Sequence, residues 1–267
     1  MKNTLLVSAF TSLAITTAAN ADVLIDFSDM SNVSYTASPA LNSFTSNFDA
    51  WGVYNFASGA PRMSDQSATG GTVGLISSYD NNPFFGIVDS INNDTTQPPT
   101  IEFAIDISGA ESISFSIDMG AYGGFEESGS SFDYVKWQYN IDGGTTKTLF
   151  DIKPIDEESA TYYFDNGSTV DIGSPLSFID SETGETVILN NGYRNISEQT
   201  GGLNTYKTDI EGTGETLYIQ LIARVDGSKE VYAFDNLEVT VAPEPGSTSL
   251  ASLALLLMLT RRQHKTA

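Results

Sequence analysis

Two aspartates occupy positions where a sheet core holds apolar side chains. In residues 132–141, Asp133 has the same parity as Val135, Trp137, Tyr139 and Ile141, and in residues 230–241, Asp235 has the parity of Leu237, Val239 and Val241. An inward carboxylate is costly unless a cation or several donors meet it. Basic side chains are scarce, so a hard cation is the expected partner. Calcium accepts carboxylates, backbone carbonyls and water in a flexible shell. The loop 120–131, directly before Asp133, adds Glu126 and Glu127 among glycines.

Other chemistry is restricted by composition. There is no cysteine, which excludes disulfides, thiol catalysis and Cys-based metal sites. The one histidine, His264, lies in the C-terminal tail, so the preceding body has no imidazole for a catalytic triad, a general base or zinc. Carboxylates, Tyr, Lys, Ser and Arg remain. A glycosidase needs two carboxylates some 5–10 Å apart, but 34 acids contain such pairs without marking one, and no catalytic residue is assigned.

Both chain ends carry address signals. Lys2 precedes the small and apolar run 5–18, and Ala19-Asn20-Ala21 places small residues at −3 and −1 of a secretory cleavage site. Residues 1–21 therefore read as a signal peptide cut by signal peptidase, with a first transmembrane helix as the competing reading. At the other end Pro243-Glu244-Pro245 is followed by the apolar run 247–260 and by Arg261-Arg262. The 15 residues between Pro245 and Arg261 span roughly 22 Å as a helix, short of a hydrocarbon core of ~30 Å. Positive charge after the run holds that end on the cytoplasmic side.

This tail, 242–267, resembles the PEP-CTERM sorting signal of bacterial exported proteins, which joins a Pro-Glu-Pro tripeptide, a short apolar helix and an Arg cluster. The resemblance covers about 25 of the 267 residues. It implies transient membrane insertion, cutting by an exosortase, and delivery of the body to the cell surface or extracellular matrix, with Pro243, Glu244, Pro245, Arg261 and Arg262 as the sorting residues. An ordinary tail anchor is the alternative. Removing both ends takes away Lys2, Arg261, Arg262 and Lys265 and no acid, leaving 8 basic and 34 acidic residues and a net charge near −26. Such a surface repels nucleic acid and anionic lipid and attracts divalent cations.

The body 22–241 reads as strands separated by Gly, Asn, Asp and Ser clusters, with no helical period. Strands are expected at 23–27, 52–56, 73–79 and 84–88, the last pairing with 73–79, while 31–49 reads as irregular. The alternation is clearest at 101–107, 111–119, 132–141 and 215–225, with a hairpin turn at Asp142-Gly143-Gly144 leading into 147–150. Residues 151–202 read as an insertion or long loops, Asp226-Gly227-Ser228 as a turn, and 230–241 as the last strand. The fold class expected is all-β, an antiparallel, jelly-roll-like β-sandwich, preceded by the signal peptide and followed by a short hydrophobic helix.

The motifs Phe132-Asp133-Tyr134-Val135, Asn140-Ile141-Asp142-Gly143-Gly144 and Phe234-Asp235-Asn236-Leu237-Glu238-Val239 resemble jelly-roll modules of extracellular bacterial enzymes and adhesins. Asn140 departs from the Ser or Thr of their turn, and 151–202 exceeds their spacing. The resemblance implies a structural calcium (Ca2+) between the loop and the first and last strands, with Glu127, Asp133, Asp235 and Asp26 as ligands.

Three functions fit: an exported, non-enzymatic surface or matrix protein; a glycan-binding module for exopolysaccharide; and a carboxylate-based glycoside hydrolase. Loop aromatics Trp51, Tyr54, Tyr79, Phe84, Phe85, Tyr122 and Phe125 are the stacking platforms a glycan reading requires, with core packing as their competing role.

Overall fold

The computed structural model describes residues 22–46, 48–55, 63, 75–77, 81–129, 132–192, 194–195 and 200–243. Signal-peptide residues Ala19 and Ala21, tail residues Glu244, Pro245, Arg261 and Arg262, and the tail helix lie outside them. So does most of the expected strand 73–79.

Apart from one 3₁₀ turn, Met30–Asn32, every regular element described is a strand. In chain order these are β1 (Val23–Ile25), β2 (Tyr35–Ser38), β3 (Ala50–Tyr54), β4 (Phe84–Val88), β5 (Thr100–Asp106) and β6 (Ala110–Tyr122). Then come β7 (Tyr134–Ile141), β8 (Lys147–Pro154), β9 (Ser159–Tyr163), β10 (Thr169–Gly173), β11 (Leu176–Ile179) and β12 (Thr186–Ile188). The last are β13 (Arg194–Asn195), β14 (Thr200–Gly201), β15 (Asn204–Ile210), β16 (Thr216–Arg224) and β17 (Val231–Pro243). One sheet has the order β15-β6-β17-β4-β3 with β1 also on β17, and the other β12-β11-β8-β7-β16-β5-β2. All pairings in both sheets are antiparallel. The expected all-β antiparallel sandwich is what forms.

Period-two alternation makes the sandwich. In β16, Leu217, Ile219, Leu221 and Ala223 are buried and the residues between them half-exposed, and β7 repeats the pattern with Val135, Trp137 and Tyr139. These faces meet Ile113, Phe115, Ile117 and Met119 of β6 in one core. A chain of rings crosses it: Trp51 to Phe85 at 5.0 Å, Phe85 stacked on Phe234 at 4.7 Å, and Phe234 edge-on to Trp137 at 4.8 Å. The Trp137 indole donates to Tyr232 Oη at 2.8 Å, satisfying its one polar atom inside that core. At the β7–β8 hairpin, Asp142 and Gly143 both take positive φ, 53° and 71°, the pair a type I′ turn requires.

Two expectations change. Strand β4 has β3 and β17 as its two neighbours, and of the expected partner strand 73–79 only 75–77 lie among the described residues. Residues 151–202 are set apart only in part: β8 runs on to Pro154 and β11 and β12 extend its sheet, while β9 with β10 and β13 with β14 form separate two-stranded pairs. Strands β9 and β10 do alternate, exposed with buried in β9 and exposed with half-exposed in β10, but over only five residues each.

Candidate metal centre

The two sheets bring two connections together at one end of β7 and β16, the loop between β6 and β7 and the turn between β16 and β17. Asp133 immediately precedes β7, Asp226 follows β16, Glu230 precedes β17, and Glu126 stands in the loop after β6. Each offers one carboxylate oxygen, and the four oxygens lie within 4.8 Å of one another. Asp133 is fully buried and Glu230 is 6% exposed.

Backbone amides hold these carboxylates in place. Asp133 Oδ2 accepts from Glu126 N at 2.8 Å and its Oδ1 from Asp226 N at 3.1 Å, while Asp133 N donates to the Glu126 carbonyl at 2.9 Å. Glu230 Oε2 accepts from Gly227 N at 2.9 Å. Glycine at 227 makes room for this carboxylate, because a Cβ there would stand 2.4 Å from Glu230 Cδ. Arg224 reaches Asp226 Oδ2 at 3.2 Å.

The electrostatics follow from burial and crowding. Burial first, then the Asp133 and Glu126 charges, push the Glu230 carboxyl up to about 9. Asp133 rises to about 7, chiefly by burial and then by a side-chain hydrogen bond with Glu126. The acidic field extends further: Asp89 is pushed up to about 6 by burial, then by Asp49 and Asp226. All these donors are hard oxygens, a set that fits calcium better than zinc or copper.

Of the four residues expected to ligate, the structure brings only Asp133 into this cluster. Glu127, next to Glu126, is exposed and faces Asp156, whose hydrogen bond raises the Glu127 carboxyl. Asp26 is exposed and accepts from Ser28 N at 3.0 Å and Ser28 Oγ at 2.7 Å. Asp235 does not have the parity of Leu237 in three dimensions. A β-bulge shifts the register between Asp235 and Glu238, with Asn236 at φ 48°. Ahead of the bulge Tyr232 and Phe234 face the main core; beyond it Leu237 and Val239 do. Asp235 is thereby turned to the outer side, half-buried, opposite Asp118. Asp226 and Glu230 were missed because Asp226-Gly227-Ser228 reads as a plain turn.

The aromatic platforms fare no better as surface features. Trp51, Phe84, Phe85 and Phe125 are buried, Tyr54 and Tyr122 pack half-buried against a smaller apolar cluster around Val231 and Ala233, and Tyr79 lies outside the described residues. Among the sorting residues, Pro243 is the last residue of β17.

No family model and no curated protein matches the chain. Solved structures do. The CBM22-1 xylan-binding domain from Paenibacillus barcinonensis is 10% identical at a TM-score of 0.36, over 85% of this chain and 99% of that one. A CBM35 from Cellvibrio japonicus is 12% identical at 0.30, covering 84% and 97%. An apo-form cyclase from Fischerella sp. is 9% identical at 0.37, covering 83% and 97%. These likenesses are distant, and the sandwich described above stands on its own sheets and core.

Proposed function

We propose that this chain is an exported, non-enzymatic β-sandwich protein of the cell surface or extracellular matrix, sorted through its PEP-CTERM tail and stabilised by a structural calcium ion. The observation that carries the metal is the convergence of Glu126, Asp133, Asp226 and Glu230, two of them buried, within 4.8 Å. Buried like charges without a counter-ion oppose folding, and an ion bound only by the folded chain removes that opposition. The ion would be held by these four side chains, where it supplies charge neutralisation. The protein's role is then to be stably folded outside the cell without disulfides. Thermal melting of the purified protein tests this: melting rises with millimolar calcium, falls with chelator, and responds weakly to magnesium, which gives up its water reluctantly. A melting temperature indifferent to calcium and chelator removes the structural ion.

A second function, binding of exopolysaccharide, is favoured by one observation. The outer face of the seven-stranded sheet carries the half-exposed pair Gln138 and Gln220 on neighbouring strands, with half-exposed Tyr218 next along β16 and half-exposed Tyr134 further off at the start of β7.

A further inference from the structure

The outer sides of the two sheets differ in charge. On β6, β15 and β17 the outward positions carry Asp118, Asp209, Asp235 and Glu238 against Lys207 alone. On β5, β7 and β16 the outward positions carry Glu102 and Asp106 against Lys136 and Arg224, so acids and bases balance. This balanced face belongs to a body whose net charge is near −26.

The balanced face is also even. Gln220 lies between Glu102 and Gln138, and Ile222 between Thr100 and Lys136, all half-buried. Gln138 Nε2 donates to Gln220 Oε1 at 2.6 Å, which leaves the pair an amide acceptor and further amide donors for hydroxyl groups. Aromatic rings stand at both ends. Tyr218 is at one; at the other Tyr134 packs against Phe132 with ring centroids 5.7 Å apart. Six strand positions separate the level of Tyr218 from that of Tyr134, about 20 Å along the strands.

We propose that this face binds a neutral polysaccharide chain lying along β16 and β7, with Tyr218 and Tyr134 as stacking ends and the Gln138–Gln220 pair beneath its hydroxyls. The proposal rests on the glycan reading above and names its surface and ligand class. Charge selects the ligand. A polyanion is repelled by the body as a whole, and a polycation is drawn to the acidic outer side of the other sheet. Only a neutral chain meets an even, charge-balanced surface without electrostatic cost. Sugar rings present apolar faces to aromatic side chains and edge hydroxyls to amides. The face is also tied to the acidic cluster, because Asp133 lies between Phe132 and Tyr134 in sequence, and its inward bonds hold the chain where it enters β7.

The test is a glycan array probed with full-length protein, bearing neutral xylo-, cello-, manno- and galacto-oligosaccharides, chitosan oligomers and polygalacturonate. Binding is expected to at least one neutral series. Tyr218→Ala and Gln220→Ala should each weaken it by about tenfold, while Asp209→Asn and Glu238→Gln on the other sheet leave it unchanged. Melting temperatures of all four variants, expected near the parent's, exclude unfolding as the cause. Neutral binding that survives both face variants overturns the assignment of the face and leaves the glycan reading standing. Binding confined to chitosan or polygalacturonate overturns the ligand class. Absence of binding to every probe overturns both.

Discussion

The Asp133 carboxylate accepts the Asp226 backbone amide at 3.1 Å, across 93 residues of sequence. That bond joins the entry of β7 to the exit of β16, the two strands that pair from Tyr134–Arg224 to Ile141–Leu217. A polar contact at the sandwich rim thus ties together two paired core strands and gathers the acids of a loop and a turn.

The cation dependence should reside in that loop and turn and nowhere else. Calcium at a hundredfold excess over Kd should stabilise the parent by about 2.7 kcal/mol. Glu230→Gln and Asp226→Asn should lose most of that gain, whereas Asp235→Ala and Asp26→Ala should keep it. An equal calcium response in all four variants would mean diffuse binding to the acidic surface.

Stability without added metal should fall as pH rises. Asp133 and Glu230 are raised above ordinary carboxylate values, to about 7 and about 9. The folded chain therefore holds protons that the unfolded chain has released, and by linkage stability is greatest below the unfolded values near 4 and is lost as pH passes the folded ones. Denaturant unfolding in chelator should show a lower midpoint at pH 8 than at pH 5.5, and calcium should shrink the difference. A midpoint in chelator that rises over that interval contradicts the buried cluster.

The bulge in β17 should be sensitive to residue type. Asn236 takes φ 48°, and its side chain donates to Asp118 Oδ2 at 2.8 Å. Asn236→Val places a β-branched residue in the left-handed region and should cost about 1–2 kcal/mol or more, measured by chemical denaturation. Asn236→Gly, which tolerates that backbone, should cost clearly less. Equal losses would shift the importance from backbone conformation to the bond with Asp118.

Sorting should depend on the tripeptide. Replacing Pro243-Glu244-Pro245 with alanines should leave export intact and block the final cut, so that the protein accumulates uncut in the inner membrane, as seen by immunoblot of membrane fractions. Normal release of the triple variant would remove the PEP-CTERM assignment.

The sandwich was legible wherever one face of a strand is wet. The expected segments 101–107, 111–119, 132–141, 215–225 and 230–241 correspond to β5, β6, β7, β16 and β17, each with alternating burial over much of its length. Short edge strands such as β2, exposed or half-exposed throughout, show no alternation, and they were read as irregular. The acidic cluster was half legible. Parity placed Asp133 inward, but the same rule placed Asp235 inward, since a two-residue period does not anticipate the bulge at Asn236. The partners Asp226 and Glu230 sit on a turn, and folding alone brings a turn against a loop a hundred residues earlier in the chain.

The placement of β17 has a mechanical meaning. It is bonded along one edge to β6 from Val231 to Pro243, and along the other to β4 and then β1. Tension applied at Pro243 acts along this strand and loads the hydrogen bonds on both edges together, in shear. An edge strand pulled sideways would instead peel one bond at a time. A body tethered through its C-terminal end therefore bears force through its best-connected strand.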